Sequence, residues 1–453
     1  MTLIEQLADT TEGLGRILFP GDAGWDEARA TFNPLVDQRP AAIAVPTDER
    51  EVAAVIGYAR DRGWKVAPQA TGHNPAPLGD LTDTLILNTS ALTGIHIDAE
   101  AHRVRVGAAV RWRDVIAQLS DLGLAALHGS SPLVGVTGYS LGGGIGWLSR
   151  KYGLQANAVT SVDLVTAEGH LVRTDAVHEP ELFWALRGGS GNFGVVTSLE
   201  FKVVDLRELY AGHLFFPFEK ATEVLNTWAS LLPTLPEELT TWVTLAHLPP
   251  FPEIPEPLRG RSFAIVMAAF LGNEQDGSAL LAPLRALGPE LDMMGMQSPV
   301  ALGELAMDPD APMPGRSTTS LLSGLPAPSV EALVKTAAPG SPLAMVQFRH
   351  LGGAAARVPA GAGARGSLPG EIVMYAAGLV LAPEDVERLN AALGATWAIV
   401  SPYEVGKYSN FVEAPADASD FWDAETWTRL RRAKALYDPR DVFKGNHHIP
   451  PLD

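Results

Sequence analysis

Cysteine is absent from the 453 residues, which excludes disulfides, thiolate nucleophiles and cysteine-ligated metals. Positive charge is scarce as well. The 34 Lys and Arg face 52 Asp and Glu, giving a formal net charge of -18, and no basic cluster interrupts that field, which repels phosphate backbones and anionic lipid surfaces. Neither nucleic acid nor membrane is therefore expected as a partner. No uninterrupted apolar run reaches spanning length, and Met1-Thr2-Leu3-Ile4-Glu5-Gln6 carries an acid where a secretion signal carries bases. A soluble cytoplasmic protein is expected, in which the sequon Asn88-Thr89-Ser90 stays unmodified. Internal repeats are missing, and no metal site is expected. What is present is ordinary for a globular chain, 46% hydrophobic and 19% charged, at a length that favours two domains over a single core.

Strand and helix signals mix through the first two hundred residues. Thr47-Asp48-Glu49 reads as a helix N-cap with an acidic first turn, followed by Val52, Val55, Ile56 and Ala59 at helical spacing. Trp64-Lys65-Val66-Ala67 reads as a strand, and Ile95 and Ile97 alternate with Val104 and Val106 around a turn as a hairpin. From about Tyr210, Pro-rich connections such as Pro249-Pro250-Phe251-Pro252 and Pro255-Glu256-Pro257 break weaker periodic segments, which suggests a second domain. A helix is expected from Thr426 to Leu436, and the glycine-rich stretch from Ala356 to Gly370 is expected to be the most mobile loop.

Two loops carry the main chemical signal. In the first, Gln69 to Pro75, the small residues Ala70, Thr71 and Gly72 let successive backbone N–H groups converge, as in cradles that hold a pyrophosphate without cationic side chains. His73 and Asn74 follow at the end of that cradle, although a Gly-His pair in a loop is by itself commonly structural. The second loop runs from Gly129 to Trp147 and concentrates Gly135, Gly138, Gly142, Gly143, Gly144 and Gly146 in an apolar stretch. Such spacing indicates backbone packed against a flat ligand or against another backbone. A third stretch, Gly189-Ser190-Gly191-Asn192-Phe193-Gly194, matches the dinucleotide fingerprint G-x-G-x-x-G. There the order is reversed, because Leu182, Phe183, Trp184 and Leu186 form a helix before the glycines, and Val195 to Phe201 a strand after them. A nicotinamide-binding Rossmann unit is thereby disfavoured.

Taken together, these residues resemble the berberine bridge enzyme-like branch of the vanillyl-alcohol oxidase superfamily of FAD-linked oxidases. The resemblance is carried by Thr71-Gly72-His73, Pro132-Leu133-Val134-Gly135, Leu141-Gly142-Gly143-Gly144-Ile145-Gly146, Lys151-Tyr152-Gly153-Leu154, Asp163-Leu164-Val165-Thr166-Ala167, Leu182 to Gly189, Asn192 to Thr197, Tyr408-Ser409-Asn410-Phe411 and Tyr437-Asp438-Pro439. It implies an α+β, two-domain fold. A PCMH-type FAD-binding domain would occupy residues 1–205 and be completed by 405–453, with a substrate domain, an antiparallel sheet backed by helices, over 206–404. It further implies that His73 bonds covalently to the flavin 8α-methyl carbon. Many members add a cysteine link, but Ser131 stands at that position, so a single histidyl link is expected. The implied cofactor contacts are Gln69, Ala70, Thr71, Gly72, Asn74, Ser130, Ser131, Val134, Gly135, Gly138, Gly142, Gly143, Gly146, Val196, Asn410, Asn446 and His448, with His447 beside them in the tail.

For turnover the resemblance implies hydride transfer from an alcohol, sugar or amine to flavin N5, with Tyr408 as the proton acceptor. A phenol with a reference pKa of about 10 needs a nearby cation for that task, and Arg349 is the candidate. Met345 to His350 alternates as a strand, which puts Gln347 and Arg349 on one face and Phe348 and His350 on the other. Gln347, Arg349 and Tyr375 are thus candidates for the substrate pocket. The small Val134 is expected to admit O2, with H2O2 as product. A flavin dehydrogenase using another acceptor and a non-catalytic flavin-binding protein are the alternatives, and either a monomer or a homodimer is compatible with the chain.

Overall fold

The computed structural model describes residues 13–252 and 254–452; the acidic stretch Met1–Gln6 lies outside the described residues. The fold is α+β and is organised around three principal sheets. In the first, the short apolar runs Ala42–Val45 (β2), Lys65–Gln69 (β3) and Thr84–Asn88 (β4) pair in parallel, with Arg16–Leu18 (β1) antiparallel at the edge, in the order β1-β2-β4-β3. Helix α1 (Glu49–Asp61) starts where Asp48 accepts hydrogen bonds from the backbone N–H groups of Arg50 and Glu51. Its apolar face, Val52, Val55, Ile56 and Ala59, is buried as the spacing predicts.

The second sheet begins with the expected hairpin, Ile95–Asp98 (β5) and Arg103–Gly107 (β6), in which Ile95 lies opposite Val106 and Ile97 opposite Val104. Val159–Val165 (β7), Leu171–Asp175 (β8) and Val195–Lys202 (β9) complete an antiparallel array in the order β5-β6-β9-β7-β8. Helix α2 (Trp112–Asp121), helix α3 (Val136–Leu141), helix α4 (Pro180–Gly189) and the later helix Ala424–Tyr437 supply apolar residues to its core. The G-x-G-x-x-G stretch runs from α4 into β9, the reverse of a Rossmann turn. Its buried Asn192 donates to the carbonyl oxygens of Gly189 and His447 and accepts from the N–H of Ile449, so it fastens the C-terminal tail. The tail also forms a parallel bridge between Phe443 and Val66 of β3. The wholly buried Lys434 ammonium is satisfied by Asp438 at 2.6 Å, Asn192 O at 2.8 Å and Phe443 O at 2.9 Å, the full set of acceptors that a buried charge requires.

The third sheet is large and antiparallel. Leu209–Pro217 (β10), Leu239–His247 (β11), Ser262–Phe270 (β12), Gly315–Leu322 (β13), Met345–His350 (β14) and Ile372–Leu379 (β15) run in the spatial order β10-β12-β11-β14-β15-β13. Its two faces differ. Val243, Leu245, Phe348, Ile372 and Met374 form an apolar face against helices α5 (Ala221–Leu231), α6 (Ala327–Thr336) and α7 (Asp385–Val400), through Trp228, Val330, Leu333 and Leu389. On the opposite face the register aligns Thr244, Gln347, Tyr375 and Thr319 in one row across four strands, with Trp242, Arg349 and Val373 in the next row.

One expectation fails. The stretch from Ala356 to Gly370 is tied down by hydrogen bonds from Ala364 N to Trp184 O and from Arg365 N to Arg187 O, both 3.0 Å, and from Asn157 Nδ2 to Gly366 O at 2.8 Å. Its glycines serve close approach rather than freedom, since a Cβ on Gly363 would stand 2.3 Å from the Cβ of Arg187. No helix of the described residues is long and apolar enough to cross a membrane.

Candidate active site

The first loop leaves the end of β3 and turns at Gly72, whose φ of +63° suits a residue without a Cβ. The carbonyl of Gly72 accepts from Phe32 N at 3.0 Å, and the Phe32 ring stacks on the imidazole of His73 with centroids 4.1 Å apart and planes 16° from parallel. His73 Nδ1 lies 2.8 Å from Thr71 Oγ1, while Nε2 is buried with no partner among the described residues. Burial, assisted by the field of Arg111, lowers the His73 pKa to about 4, so the ring is neutral at physiological pH. An unprotonated imidazole nitrogen is a competent nucleophile.

The second loop meets the first directly. A Cβ on Gly135 would lie 3.4 Å from Thr71 Cγ2 and 3.8 Å from the Cβ of Ala70. Further along, a Cβ on Gly142 would fall 1.7 Å from Asn410 Oδ1, one on Gly144 would fall 2.6 Å from the Tyr139 ring, and one on Gly146 would fall 1.8 Å from His128 O. On their Cβ side, Gly142, Gly144 and Gly146 are therefore required by protein packing; Gly138 faces open space there. Gly143 packs near Arg365 Cγ and the Tyr408 ring. Ser131 Oγ accepts from Leu133 N at 3.3 Å and Ser130 Oγ lies 3.4 Å from Arg349 Nη1. Val134 is partly buried in the core of the second sheet, and Val196 is buried in β9.

The tail reaches the same place. Asn446 donates through its side-chain amide to Asn74 O, His447 Nε2 bonds Ser409 O at 3.0 Å, and His448 Nε2 pairs with Asp441 at 3.2 Å. This is a fastened segment rather than a fraying end. Around the two loops, Gln69 Oε1, Asn74 Oδ1, Thr137 Oγ1, Ser140 Oγ and His448 Nδ1 join His73 Nε2 as buried polar atoms without partners among the described residues. Native interiors seldom tolerate such a concentration of unpaired groups. The donor and acceptor set fits a polar dinucleotide lying between the loops and the tail.

Tyr408 is placed differently from the expectation that it takes a proton. It is fully buried, and its hydroxyl oxygen accepts from Gly144 N at 2.8 Å and from Asn410 Nδ2 at 2.9 Å. Those two bonds engage the oxygen's acceptor sites. Burial pushes the phenol above its ordinary pKa, opposed by the Gly144 N–H and by the field of Arg365, a second cation beside the expected Arg349, which also feels the Tyr408 oxygen. This geometry makes Tyr408 a fastener between the glycine loop and Asn410, whose amide also bonds Tyr139 O at 3.1 Å, and weighs against its acting as a base.

Across from the loops stands the polar face of the third sheet. Arg349 is 5% exposed, lies between the rings of Trp242 at 4.1 Å and Phe411 at 4.8 Å, and donates through Nε to Gln347 Oε1 at 2.6 Å. It has no ion-pair partner among the described residues, and burial lowers its pKa. Gln347 in turn donates to Thr244 Oγ1 at 2.9 Å. Tyr375 donates to Glu413 Oε1 at 3.0 Å, and Ser317 donates to Glu413 Oε2 at 2.7 Å. The predicted residues thus fall into two groups: His73, Asn74, Asn410 and Asn446 around the loops, and Gln347, Arg349 and Tyr375 on the sheet, joined where Arg349 reaches Ser130 and where Asn74 Nδ2 donates to Val412 O at 3.1 Å. Phe32, Arg365 and Glu413 were not anticipated. None of the three carries a local signal, because each is placed by contacts across the chain.

A loop cradle with a neutral histidine, facing a polar antiparallel sheet, defines an FAD-linked oxidoreductase. Residues 40–175 match an FAD binding domain. The chain is 28% identical to (R)-6-hydroxynicotine oxidase of Paenarthrobacter nicotinovorans over 96% of its own length and 97% of that protein. It is 27% identical to xylooligosaccharide oxidase of Thermothelomyces thermophilus over 95% of its length and 91% of that protein. The solved structure of Physcomitrella patens BBE-like 1 shares its fold with a TM-score of 0.85 at 20% identity, covering both chains completely. The chain therefore contains an FAD-binding domain and resembles the berberine bridge enzyme-like FAD-linked oxidases over nearly its whole length, with their fold.

Proposed function

We propose that this protein is an oxidase that holds FAD through one covalent bond, from His73 to the flavin 8α carbon, and oxidises an alcohol, sugar or amine while O2 is converted to H2O2. The observation that carries the reading is the His73 imidazole itself, neutral, half-buried, stacked on Phe32 and with its Nε2 atom buried and without a partner among the described residues, at the end of a loop ringed by unsatisfied polar atoms. Residues 1–205 with 405–453 form the FAD-binding unit in this reading, and 206–404 the substrate unit. Gln69, Asn74, Asn446 and His448 surround the cofactor, together with the backbone from Ala70 to Gly72, Ser130 to Gly146 and Val196; Asn410 braces that backbone. The bound flavin supplies the hydride acceptor and the outlet for electrons to oxygen. The chain supplies orientation: Gln347, Arg349 and Tyr375 present donors toward the loops from a rigid sheet, which keeps a substrate in reach. Support for the substrate range comes from relatives named for a nicotine derivative and for an oligosaccharide.

Acid-precipitated protein tests the reading. A pellet that remains yellow and fluorescent, with peroxide released when a panel of alcohols, sugars and amines is added to native protein, is the expected result. A colourless pellet, or flavin bleaching without oxygen consumption, would refute the covalent link or the oxidase assignment respectively.

A further inference from the structure

Glu413 has no task in this account, and its setting is unusual for a carboxyl group. It hangs over the polar face of the third sheet, where Ser317 of β13 and Tyr375 of β15 each direct a neutral hydroxyl at one of its oxygens. No cation is in ion-pair contact with it among the described residues, whereas the buried Asp438 is held by Lys434 at 2.6 Å. The charged groups that bear on its partner Tyr375 are Asp308, from the segment before β13, and Arg349, from β14. Enclosure without a counter-charge raises the Glu413 pKa, the two hydroxyls opposing the rise. A carboxyl so placed binds a proton more readily than an exposed one, the tuning that general bases working near neutrality require.

We propose that Glu413 is the terminal acceptor of the substrate's proton, received through the Tyr375 hydroxyl, and that the group oxidised is an uncharged hydroxyl. This inference rests on the flavin-oxidase reading above. In the step, the O–H bond of the substrate alcohol breaks and its proton passes to Tyr375 Oη as the proton already on Tyr375 passes to Glu413 Oε1. The C–H bond of the carbon bearing that hydroxyl breaks with both electrons leaving as hydride to the bound flavin, so that the alcohol becomes a carbonyl and Glu413 is left protonated. Oxygen then takes up the two electrons and two protons as H2O2. Tyr375 is the catalytic residue of the pair, because it touches the reacting hydroxyl, and Glu413 acts through it.

The substrate class follows from Arg349. A guanidinium that is 5% exposed and without an ion-pair partner among the described residues, one strand away from Tyr375, stabilises oxygen as it loses its proton and disfavours an incoming ammonium. The row Thr244, Gln347, Tyr375 and Thr319 offers neutral donors and acceptors suited to further hydroxyls.

The test compares wild type with Glu413→Gln, Glu413→Asp and Tyr375→Phe, each first assayed for flavin in the acid-precipitated pellet. Flavin reduction is then followed without oxygen across pH, with neutral alcohols and sugars and with their amino analogues. Tyr375→Phe and Glu413→Gln are expected to retain flavin and to slow reduction by about two to four decades, the range of a lost general base. Glu413→Gln should also erase the acid limb of the pH profile, and Glu413→Asp should restore part of the rate with a displaced limb. Infrared difference spectra on acidification should show a protonated carboxyl band in wild type that Glu413→Gln lacks, with a midpoint above the ordinary carboxylate range. A flavin-loaded Glu413→Gln that reduces at the wild-type rate, or keeps the acid limb, overturns the proposal alone, as does oxidation of the amines with the hydroxyl compounds inert. If Glu413→Gln does not fold, an acid limb that is identical in wild type and Glu413→Asp overturns it equally. Wild-type protein without flavin instead overturns the reading beneath it.

Discussion

Around His73 the site is made of backbone; across from it the site is made of side chains. Gly142, Gly144 and Gly146 leave room for a hydrogen and little else, because each meets a side chain or a carbonyl where a Cβ would stand. Gln347, Arg349 and Tyr375 project from strands whose opposite face is pinned by an apolar core. The two halves therefore distribute risk differently. In the loops an added carbon disturbs the fold, whereas on the sheet a removed group disturbs the chemistry and leaves the fold standing.

That contrast is open to attack at several points. The largest effect belongs to Gly146→Ala, whose new Cβ would be 1.8 Å from the backbone oxygen of His128 and has no flexible neighbour to displace. We expect a loss of about 3 kcal/mol or more, read as a lowered melting temperature and poor flavin loading. A Gly146→Ala protein that melts with wild type would show the loop to be less tightly built than described.

Acid acts on the same region. His128 is 3% exposed, and burial lowers its pKa from 6.5 to about 4, partly opposed by its bond to Gly129 O. The folded pKa is depressed, so the unfolded chain binds the proton more tightly and stability falls as pH drops from about 6.5 to about 4. The full loss is about 3 kcal/mol for this one group. A pH series of melting temperatures should be flatter over that window in His128→Gln than in wild type, and parallel series would remove His128 from the explanation.

Smaller again is Tyr408→Phe. Loss of the hydroxyl strands the N–H of Gly144 and the amide of Asn410, for a cost of about 1–3 kcal/mol in stability, while flavin reduction stays within about tenfold of wild type. A fall of two to four decades in the anaerobic reduction rate would restore Tyr408 as the base. Arg349→Met, on the sheet, should leave the melting temperature nearly unchanged and lower kcat/KM by about one to two decades, because it removes a charge from the pocket and keeps the packing between Trp242 and Phe411. A large drop in stability with intact turnover would invert the comparison.

How legible each part was in the sequence follows from the range of its interactions. The cap at Asp48, the hairpin pairing Ile95 with Val106 and the two faces of Met345 to His350 depend on neighbours in sequence or on strand alternation, and they appear as read. The antiparallel sheet backed by helices followed from family resemblance instead. The site residues missed depend on contacts across the chain. Phe32 stacks on His73 from a segment with no period of its own, and Glu413 follows a short helical turn with nothing to mark its enclosure by Ser317 and Tyr375. Arg365 was hidden by the glycines around it, which read as freedom but permit the close packing of Gly363 on Arg187. Tyr408 was visible as a motif residue, yet its burial and its two hydrogen-bond donors were not.

The central claim concerns the His73 imidazole, and intact mass of the denatured protein addresses it most directly. Wild-type chain should carry the added mass of one FAD, and His73→Ala should fold yet appear at the bare polypeptide mass with its flavin released. A wild-type chain without the addition, or a His73→Ala chain that keeps it, would contradict the account.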